Sequence, residues 1–263
     1  MTSNWIKIGK ESVSSGIKIL RKLKTVKAFN NKINIQTNAD ILSHNKIREI
    51  ITKSGVSCNL FSEEKKGITR INGGNDKIQV IIDPIDYTHL FLRGELSFCS
   101  VGLIILINGF PKYSFIGDIS NGDIFYCDEK QSYKNNQRIK VPAKIQGKNI
   151  ILGWAPYKLR AKRFMALTDL TDGNYFIYNF GGMLQAAKIA DGKYDAYLEV
   201  RASSLHEFAA APIVERAGGV ISNLQSKPIE WNPFKKQTLL ISRNNKIHQD
   251  ILKQFKNKNY EKV

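Results

Sequence analysis

The first part of the chain places its apolar residues at the spacing of helices. Between 12 and 29 they recur every three to four positions, which predicts an amphipathic helix with one buried face. Asp40 precedes a second apolar series, and its carboxylate suits the free N–H groups at the start of a second helix. Gly55 is expected to end that helix.

From residue 77 to residue 127 the pattern changes to short β-branched runs separated by turn residues. Gly-Phe-Pro at 109–111 and Ser-Asn-Gly at 120–122 supply the turn chemistry, which favours consecutive antiparallel strands. This segment therefore predicts a sheet. The runs are KIQVII, FCSVGLIILI, YSFIGDI and DIFYC.

The segment 128–148 is rich in Lys, Gln and Asn and has no apolar period, so it predicts a surface excursion. It is also the expected boundary between an N-terminal α+β subdomain, 1–140, and a C-terminal α/β subdomain, 141–263. Helices and strands alternate beyond it, and the whole pattern predicts an α+β protein of mixed layers. The predicted helices are 159–167, 182–190, 206–217 and 246–255, and the predicted strands are 149–154, 175–178, 194–198, one near 220, and 238–242.

Composition excludes several protein classes. A chain of 263 residues with 42% hydrophobic and 24% charged residues is typical of a globular protein rather than a disordered tail. The longest apolar stretch is about half of the roughly twenty residues that span a bilayer, so no membrane segment is expected. The three cysteines show no CxxC spacing and the N-terminus has no secretory signal pattern, which favours the cytoplasm.

The charge is strongly basic. Forty Lys and Arg residues against 23 Asp and Glu residues give a net charge of +17, a field that attracts phosphate esters and nucleic acids alike. No recognisable nucleic-acid module accompanies the charge, so a nucleic-acid partner is possible but not favoured. A solvated lysine-rich surface is the simpler interpretation.

Acidic residues concentrate around one predicted strand end. Asp83 and Asp86 stand three residues apart around Pro84, and Glu63 and Glu64 lie upstream. If these carboxylates lie together at the end of this strand, only protonation or a hard divalent cation such as Mg²⁺ relieves their repulsion. The alternative is a solvated acidic loop. His44, His89 and His248 have no partner visible in the sequence and are predicted to be surface residues.

These residues resemble the inositol monophosphatase superfamily of magnesium-dependent, lithium-sensitive phosphatases, which includes fructose-1,6-bisphosphatases, histidinol-phosphatases and bisphosphate nucleotidases. The resemblance covers nearly the whole chain and implies a layered α/β/α/β/α sandwich of the sugar phosphatase type. It rests on TNAD at 37–40 for T-x-x-D, SEE at 62–64 for G-E-E, DPIDYT at 83–88 for D-P-I-D-G-T, Gly181-Gly182 for Gly-Ser or Gly-Thr, ADGKYDA at 190–196 for A-x-G-x-x-D-A, and AGG at 217–219.

The resemblance implies a metal-dependent phosphatase that hydrolyses a small phosphate monoester, inositol monophosphate or a related sugar or polyol phosphate, with a metal-activated water. It further implies magnesium and a homodimer. The N-terminal subdomain would carry the metal carboxylates, and the C-terminal one would complete the active site. Glu63, Asp83 and the Ile85 carbonyl would hold one metal, and Asp83 and Asp86 a second.

The same resemblance assigns catalytic and substrate roles. Asp40, Thr88 and Glu63 would be catalytic, with Thr88 and Asp40 orienting the attacking water. The N–H groups of Tyr87 and Thr88 would face the phosphate. The remaining substrate-binding residues would be Gly182 and Glu199.

Two positions depart from the family pattern. Counting back from the A-G-G run places Leu205 and His206 where the family has Trp-Asp, so His206 is either a metal ligand that favours Mn²⁺ or Zn²⁺ or an ordinary hydrogen-bonded histidine. On an α-helix the adjacent Glu207 would point about 100° away. Tyr87 replaces the signature glycine, so a glycine-only backbone geometry is expected to be lost.

The departures leave a second hypothesis open. The chain would then be a catalytically degenerate homolog that binds an anionic partner, such as RNA, through its basic surface. The substrate also stays open among inositol, fructose, histidinol and nucleotide phosphates.

Overall fold

A computed structural model describes residues 4–29, 35–144, 149–155, 167–168, 170, 174–179 and 181–256. The helices are α1 (Trp5–Arg21), α2 (Asn38–Lys53), α3 (Thr88–Phe91), α4 (Met183–Ala187), α5 (Ala210–Arg216) and α6 (Asn245–Lys256), with a 3₁₀ turn at Leu205–Phe208. The strands are β1 (Cys58–Ser62), β2 (Lys65–Ile71), β3 (Ile78–Asp86), β4 (Ser100–Ile107), β5 (Phe110–Asp118), β6 (Ile124–Cys127), β7 (Ser132–Lys134), β8 (Gln137–Ile139), β9 (Ile150–Ala155), β10 (Tyr175–Tyr178), β11 (Ala196–Ser203), β12 (Val220–Ser222) and β13 (Gln237–Ser242).

The first eight strands form one sheet, in the order β2-β1-β3-β4-β5-β6-β7-β8. All neighbours in it are antiparallel except β1 and β3, which run parallel. Helices α1 and α2 cover one face of this sheet, where Val13, Ile47 and Phe115 are fully buried. The antiparallel order predicted for β3 to β6 is confirmed.

The second sheet has the order β10-β9-β11-β13-β12. Helices α4 and α5 lie between the two sheets around a core that includes Leu184, Phe208 and Ile213. Helix α6 packs on the opposite face of the second sheet through Ile251 and Leu252. The predicted α+β class and the layer order α/β/α/β/α are therefore confirmed. No helix in the described segments is long and apolar enough to cross a membrane.

The prediction of the first helix was wrong at both ends. Asn4 caps the helix by accepting the Lys7 N–H at 3.0 Å, and the helix buries Trp5 and Gly9 before the predicted start. Helix α1 ends at Arg21, because the lysine-rich residues that follow have no buried face to continue. The second helix ends at Lys53, and Gly55 follows with a φ of +74°.

The predicted surface excursion was also partly wrong. Residues 132–139 form the hairpin β7–β8, whose turn residues Asn135 and Asn136 have φ values of 50° and 71°. Asparagine tolerates this left-handed region, so the Asn-Asn pair was the available signal for a hairpin. The predicted helix 159–167 lies almost wholly outside the described residues. The helix predicted over 206–217 is split into the 3₁₀ turn and α5. The division into subdomains at residue 140 stays a prediction.

Candidate active site

The site is organised by the end of β3. This strand runs into the left-handed residue Tyr87, and α3 begins at Thr88. Asp83 is buried within the strand end, and its Oδ1 accepts the Ile85 N–H at 3.1 Å. The proline between them breaks the ladder, because its ring nitrogen has no hydrogen to donate, and the register to β4 shifts between Asp83 and Asp86.

Asp40 is held against Thr88 from the start of α2. Thr37 is the N-cap of this helix, and its N–H and hydroxyl donate to Asp40 Oδ2 at 2.7 and 2.5 Å. The other carboxylate oxygen, Oδ1, lies 3.1 Å from the Thr88 hydroxyl, which is also 2.9 Å from the Ile85 carbonyl oxygen. Asp40 is therefore both a helix-capping residue and the hydrogen-bond partner of Thr88.

Glu63 and Glu64 form the turn after β1, the strand that pairs with β3. The Glu63 N–H donates to the Ile82 carbonyl at 3.4 Å, which fixes this segment beside β3. The Glu64 carboxylate accepts a hydrogen bond from the Gln36 amide. Ser62 supports the turn, since its hydroxyl accepts the Glu64 N–H at 3.3 Å and lies 2.9 Å from Nδ1 of His44.

His206 and Glu207 reach the site from the 3₁₀ turn. His206 Nε2 lies 3.9 Å from Glu63 Oε1 and 3.7 Å from Glu207 Oε1. Burial alone would lower the pKa of His206, but Glu207, Glu63 and Asp86 together raise that pKa above its usual value. The expectation that Glu207 points away was wrong, because its Oε1 reaches His206 Nε2 although adjacent residues of the 3₁₀ turn at 205–208 are about 120° apart.

Tyr87 keeps the backbone geometry of a glycine. Its φ is +66°, so the expected loss of that geometry was wrong. The phenol oxygen accepts the Gly181 N–H at 2.6 Å, and a Cβ on Gly182 would lie 2.5 Å from the Tyr87 ring. The ring also lies 5.2 Å from the His89 ring, centroid to centroid. Tyr87 therefore spans the gap between β3 and the start of α4.

The backbone N–H groups at the start of α4 donate to side chains of the site. The Met183 N–H donates to Asp86 Oδ2 at 2.7 Å, and the Gly182 N–H donates to the Tyr197 hydroxyl at 3.3 Å. That hydroxyl in turn donates to the buried carboxylate of Glu199 at 3.3 Å. Gly182 and Glu199 are thus brought to the same wall of the site, joined through Tyr197, which the sequence interpretation did not identify.

The carboxylates of the site repel one another. Burial, with the charges of Glu63 and Asp86 among others, raises the pKa of Asp83 well above its usual value. Burial raises the pKa of Asp86 to about 7, against the opposing effect of the Met183 N–H. Burial likewise raises the pKa of Glu64 to about 7 and that of Asp40 to about 6. Each shift favours the protonated form, so the folded site carries electrostatic strain near neutral pH.

This donor set fits a hard divalent cation. Buried carboxylates that raise each other's pKa are stabilised by a bound cation, and carboxylate and carbonyl oxygens are the ligands that Mg²⁺ takes. As the side chains stand, no three acidic, histidine or cysteine side chains of the described segments form a group close enough to hold a metal ion. Glu63, Asp83, the Ile85 carbonyl and Asp86 are the groups that could hold one, whereas His206 is engaged with two glutamates.

The sequence interpretation missed several supporting residues. Gln36, His44 and Tyr197 position the glutamates and the α4 wall, but no apolar period or motif marks them; Ser62 lies in the SEE run, which did not reveal its supporting role. The prediction that His44 and His248 are surface residues was wrong. Both are buried, and His248 lies between two serine hydroxyls, 2.8 Å from Ser222 Oγ and 3.2 Å from Ser242 Oγ.

Comparison with known proteins places this arrangement in context. The sequence model of the Inositol monophosphatase family matches residues 3–260. The chain is similar to the Nus factor SuhB of Pasteurella multocida, with 28% identity over 75% of this chain and 73% of that protein. It is 23% identical to the fructose-1,6-bisphosphatase/inositol-1-monophosphatase of Methanothermobacter thermautotrophicus, over 81% of this chain and 80% of that protein.

A solved structure shares the fold. The extragenic suppressor protein suhB from Bartonella henselae superposes with a TM-score of 0.84 and 18% identity. The superposition covers 99% of this chain and the whole of the other chain. At this level of identity the match establishes the fold alone.

Proposed function

The chain belongs to the inositol monophosphatase family, and we propose on this premise that it hydrolyses a small phosphate monoester, inositol monophosphate or a related sugar or polyol phosphate. The observation that carries the proposal is the hydrogen bond between Thr88 and Asp40, placed beside the buried carboxylates at the end of β3. A buried acid whose pKa is raised and which orients a hydroxyl is a typical catalytic arrangement.

Glu63, Asp83, the Ile85 carbonyl and Asp86 would hold Mg²⁺, or Mn²⁺ or Zn²⁺ if His206 joins them. When bound, such a cation supplies Lewis-acid chemistry, since it lowers the pKa of water and offsets negative charge on the phosphoryl group. The residues of the chain then complete the reaction.

Thr88 and Asp40 would orient and deprotonate the attacking water. If the Thr88 hydroxyl donates to Asp40, its oxygen lone pairs accept a hydrogen bond from that water. Asp40, with a pKa of about 6, is ionised at neutral pH and can take the proton through Thr88. The N–H groups of Tyr87 and Thr88 would face the phosphate, and Glu199, next to Gly182, would face the hydroxyl groups of the substrate.

A second candidate function is supported by the same wall of the site. The Tyr87 phenol accepts the Gly181 N–H, so this N–H is bonded within the protein. His206 stands where the family has an aspartate, and it lies beside Glu63. Relatives named Nus factors belong to this comparison as well. The chain would then bind an anionic partner such as RNA through its basic surface.

Phosphate release tests the two candidates. The natural protein, Asp83→Asn and His206→Asp are compared on inositol, fructose, histidinol and nucleotide phosphates, each with Mg²⁺, Mn²⁺ and Zn²⁺. We expect turnover by the natural protein and its loss in Asp83→Asn, because that carboxylate is central to the proposed metal set. If the natural protein is inert on every compound and His206→Asp gains activity, the second candidate is favoured.

We also propose a cytoplasmic homodimer. The resemblance to the family supports the homodimer. The three cysteines are buried and form no disulfide, which supports a reducing compartment.

A further inference from the structure

Position 206 of this chain lacks the carboxylate of the family pattern. The family has Trp-Asp where this chain has Leu205 and His206, so one negative charge is missing from the metal set. His206 Nε2 lies 3.9 Å from Glu63 Oε1 and 3.7 Å from Glu207 Oε1, between two carboxylates. A ring nitrogen that carries its proton toward a carboxylate has no lone pair left for a cation.

The next residue along the chain brings a carboxylate to the same place. Glu207 belongs to the 3₁₀ turn at Leu205–Phe208, and it lines a cleft of about 380 Å³ together with Glu63 and His206. Its side chain is 27% exposed, whereas that of Glu215 on the following helix is 50% exposed. The family pattern does not mark Glu207, because the aspartate of that pattern falls one position earlier.

The carboxylate of Glu207 faces the two aspartates at the end of β3. The 3₁₀ turn packs against β3 and β4. Burial is the main cause that raises the pKa of Asp86 to about 7, and Glu207 raises that pKa more than Glu63 does. Glu207 also contributes to the raised pKa of the buried Asp83. Since the repulsion between two charges grows as they approach, these effects place the Glu207 charge beside both aspartates.

A polar group without a partner lies next to Asp86. Ser100 on β4 pairs directly with Asp86 across the ladder, and directly paired residues project their side chains to the same face. The Ser100 side chain is fully buried, and its hydroxyl has no hydrogen-bond partner among the described residues. A buried hydroxyl beside a carboxylate suits a water of a hydrated cation, because Mg²⁺ keeps several waters when proteins bind it.

We infer that Glu207 is a cation ligand, and that with Asp83 and Asp86 it forms the second cation site for which the family pattern uses a carboxylate at position 206. His206 lies beside this site and is not itself a ligand. The inference rests on the proposed function, whose metal set it extends by one residue. It assigns the second site to a hard divalent cation, since the added ligand is an oxygen and not an imidazole nitrogen.

Binding of Mn²⁺ tests the assignment without any turnover. The electron paramagnetic resonance signal of free Mn²⁺ gives the number of ions bound per chain at saturation, in the absence of phosphate esters. We expect two ions for the natural protein and one for Glu207→Gln, which keeps the size of the side chain and removes its charge. Asp83→Asn should bind none, because this carboxylate belongs to both sites. Glu215→Gln is the matched control and should bind two, since Glu215 is exposed and lies 3.8 Å from Arg216.

Two further variants separate the role of Glu207 from that of His206. His206→Gln leaves the Glu207 carboxylate in place and should still bind two Mn²⁺ ions. The double variant His206→Asp with Glu207→Gln moves the carboxylate to the family position, so it should recover the ion that Glu207→Gln loses. Circular dichroism verifies that each variant is folded. Fewer than two ions in the natural protein or in His206→Gln, two in Glu207→Gln, or no recovery in the double variant would overturn the inference.

Phosphate release by the same proteins distinguishes this inference from the proposed function. Hydrolysis of any ester by the natural protein, with two Mn²⁺ ions still bound to Glu207→Gln, leaves the phosphatase proposal standing and overturns the ligand assignment. Loss of one ion in Glu207→Gln and its recovery in the double variant, without hydrolysis by the natural protein, supports the ligand assignment and contradicts the phosphatase proposal.

Discussion

At the residue scale, the charge of Asp83 dominates the energetics of the site. It is buried, and the negative charges of Glu63, Asp86 and Glu207 surround it. Burial of mutually repelling carboxylates destabilises the folded protein unless protons or a cation compensate. The stability of the chain should therefore respond to Mg²⁺ and to pH through this residue.

Asp83→Asn should raise the Tm of the metal-free protein at pH 8, because the variant loses one repelling charge and keeps an oxygen for the Ile85 N–H. Relief of about 1 kcal/mol corresponds to roughly 2–4 °C in a chain of this size. Mg²⁺ should raise the Tm of the natural protein but not that of the variant. Thermal unfolding followed by circular dichroism checks both; a variant that gains the same Mg²⁺ increment contradicts the metal assignment.

The pH dependence has a defined sign. The pKa is about 6 for Asp40 and about 7 for Glu64 and Asp86 in the folded protein, against about 4 for unperturbed carboxyl groups. The unfolded chain thus releases these protons first, and the carboxyl contribution to stability falls as pH rises from 4 to 7. Burial lowers the pKa of His248 to about 4, which acts in the opposite direction between pH 4 and 6.5. Asp40, Glu64, Asp86 and His248 are all present in Asp83→Asn as well, so the difference in pH dependence between the natural protein and this variant, measured by urea unfolding, reports the contribution of Asp83.

Sequence reasoning reached the acidic residues but not their hydrogen bonds. The run DPID marks Asp83 and Asp86 because a proline at a strand end has a local signature. The bond of Tyr87 to Gly181 joins residues 94 positions apart, and no local pattern encodes such a contact. The tertiary fold alone determines it.

At the element scale, the start of α2 links helix capping to the candidate chemistry. Thr37 accepts the Ala39 N–H at 3.1 Å and also donates to Asp40. Both residues belong to one capping box, so the helix start and the position of the Asp40 carboxylate depend on the same hydroxyl.

Thr37→Ala should lower the free energy of unfolding by about 1–2 kcal/mol, because a buried cap is lost. It should also reduce turnover, since Asp40 loses a hydrogen bond that fixes it beside Thr88. Thr37→Ser keeps the hydroxyl and serves as the control. Urea unfolding and phosphate release measure the two effects; an alanine variant as active and stable as the serine variant would contradict this role.

Elements with strong periodicity were predictable and short ones were not. Strands β3 to β6 carry long β-branched runs, and their order was confirmed. Strand β2 contains Gly67 at φ +86° and several charged residues, so its propensity is weak and pairing with β1 makes it a strand. The 3₁₀ turn at 205–208 has the same apolar spacing as the helix that follows it, and only the backbone distinguishes the two.

At the scale of the whole molecule, the second sheet ends in an exposed strand. Among the described strands β10 forms one edge, and Phe176 and Tyr178 on it are 50% and 43% exposed. Both side chains lie on the same face, because alternate residues of a strand share a face. An edge strand with exposed aromatic residues favours association with a second copy.

Light scattering should therefore give a mass near twice 29.8 kDa for the natural protein. Phe176→Lys combined with Tyr178→Lys should shift the mass to that of one chain, because two aromatic side chains that the dimer would bury are replaced by repelling charges. Phe110→Lys, at another exposed phenylalanine, should leave the mass unchanged. A monomeric natural protein, or a dimer insensitive to the double change, would exclude this interface.

The contact between Tyr87 and Gly182 also makes the two positions interdependent. A Cβ at position 182 would lie 2.5 Å from the tyrosine ring, so the serine or threonine of the family pattern cannot coexist with Tyr87 in this conformation. A side chain introduced at 182 alone would have to displace the ring and its bond to the Gly181 N–H. An engineer who restores the family pattern therefore has to change residue 87 together with residue 182.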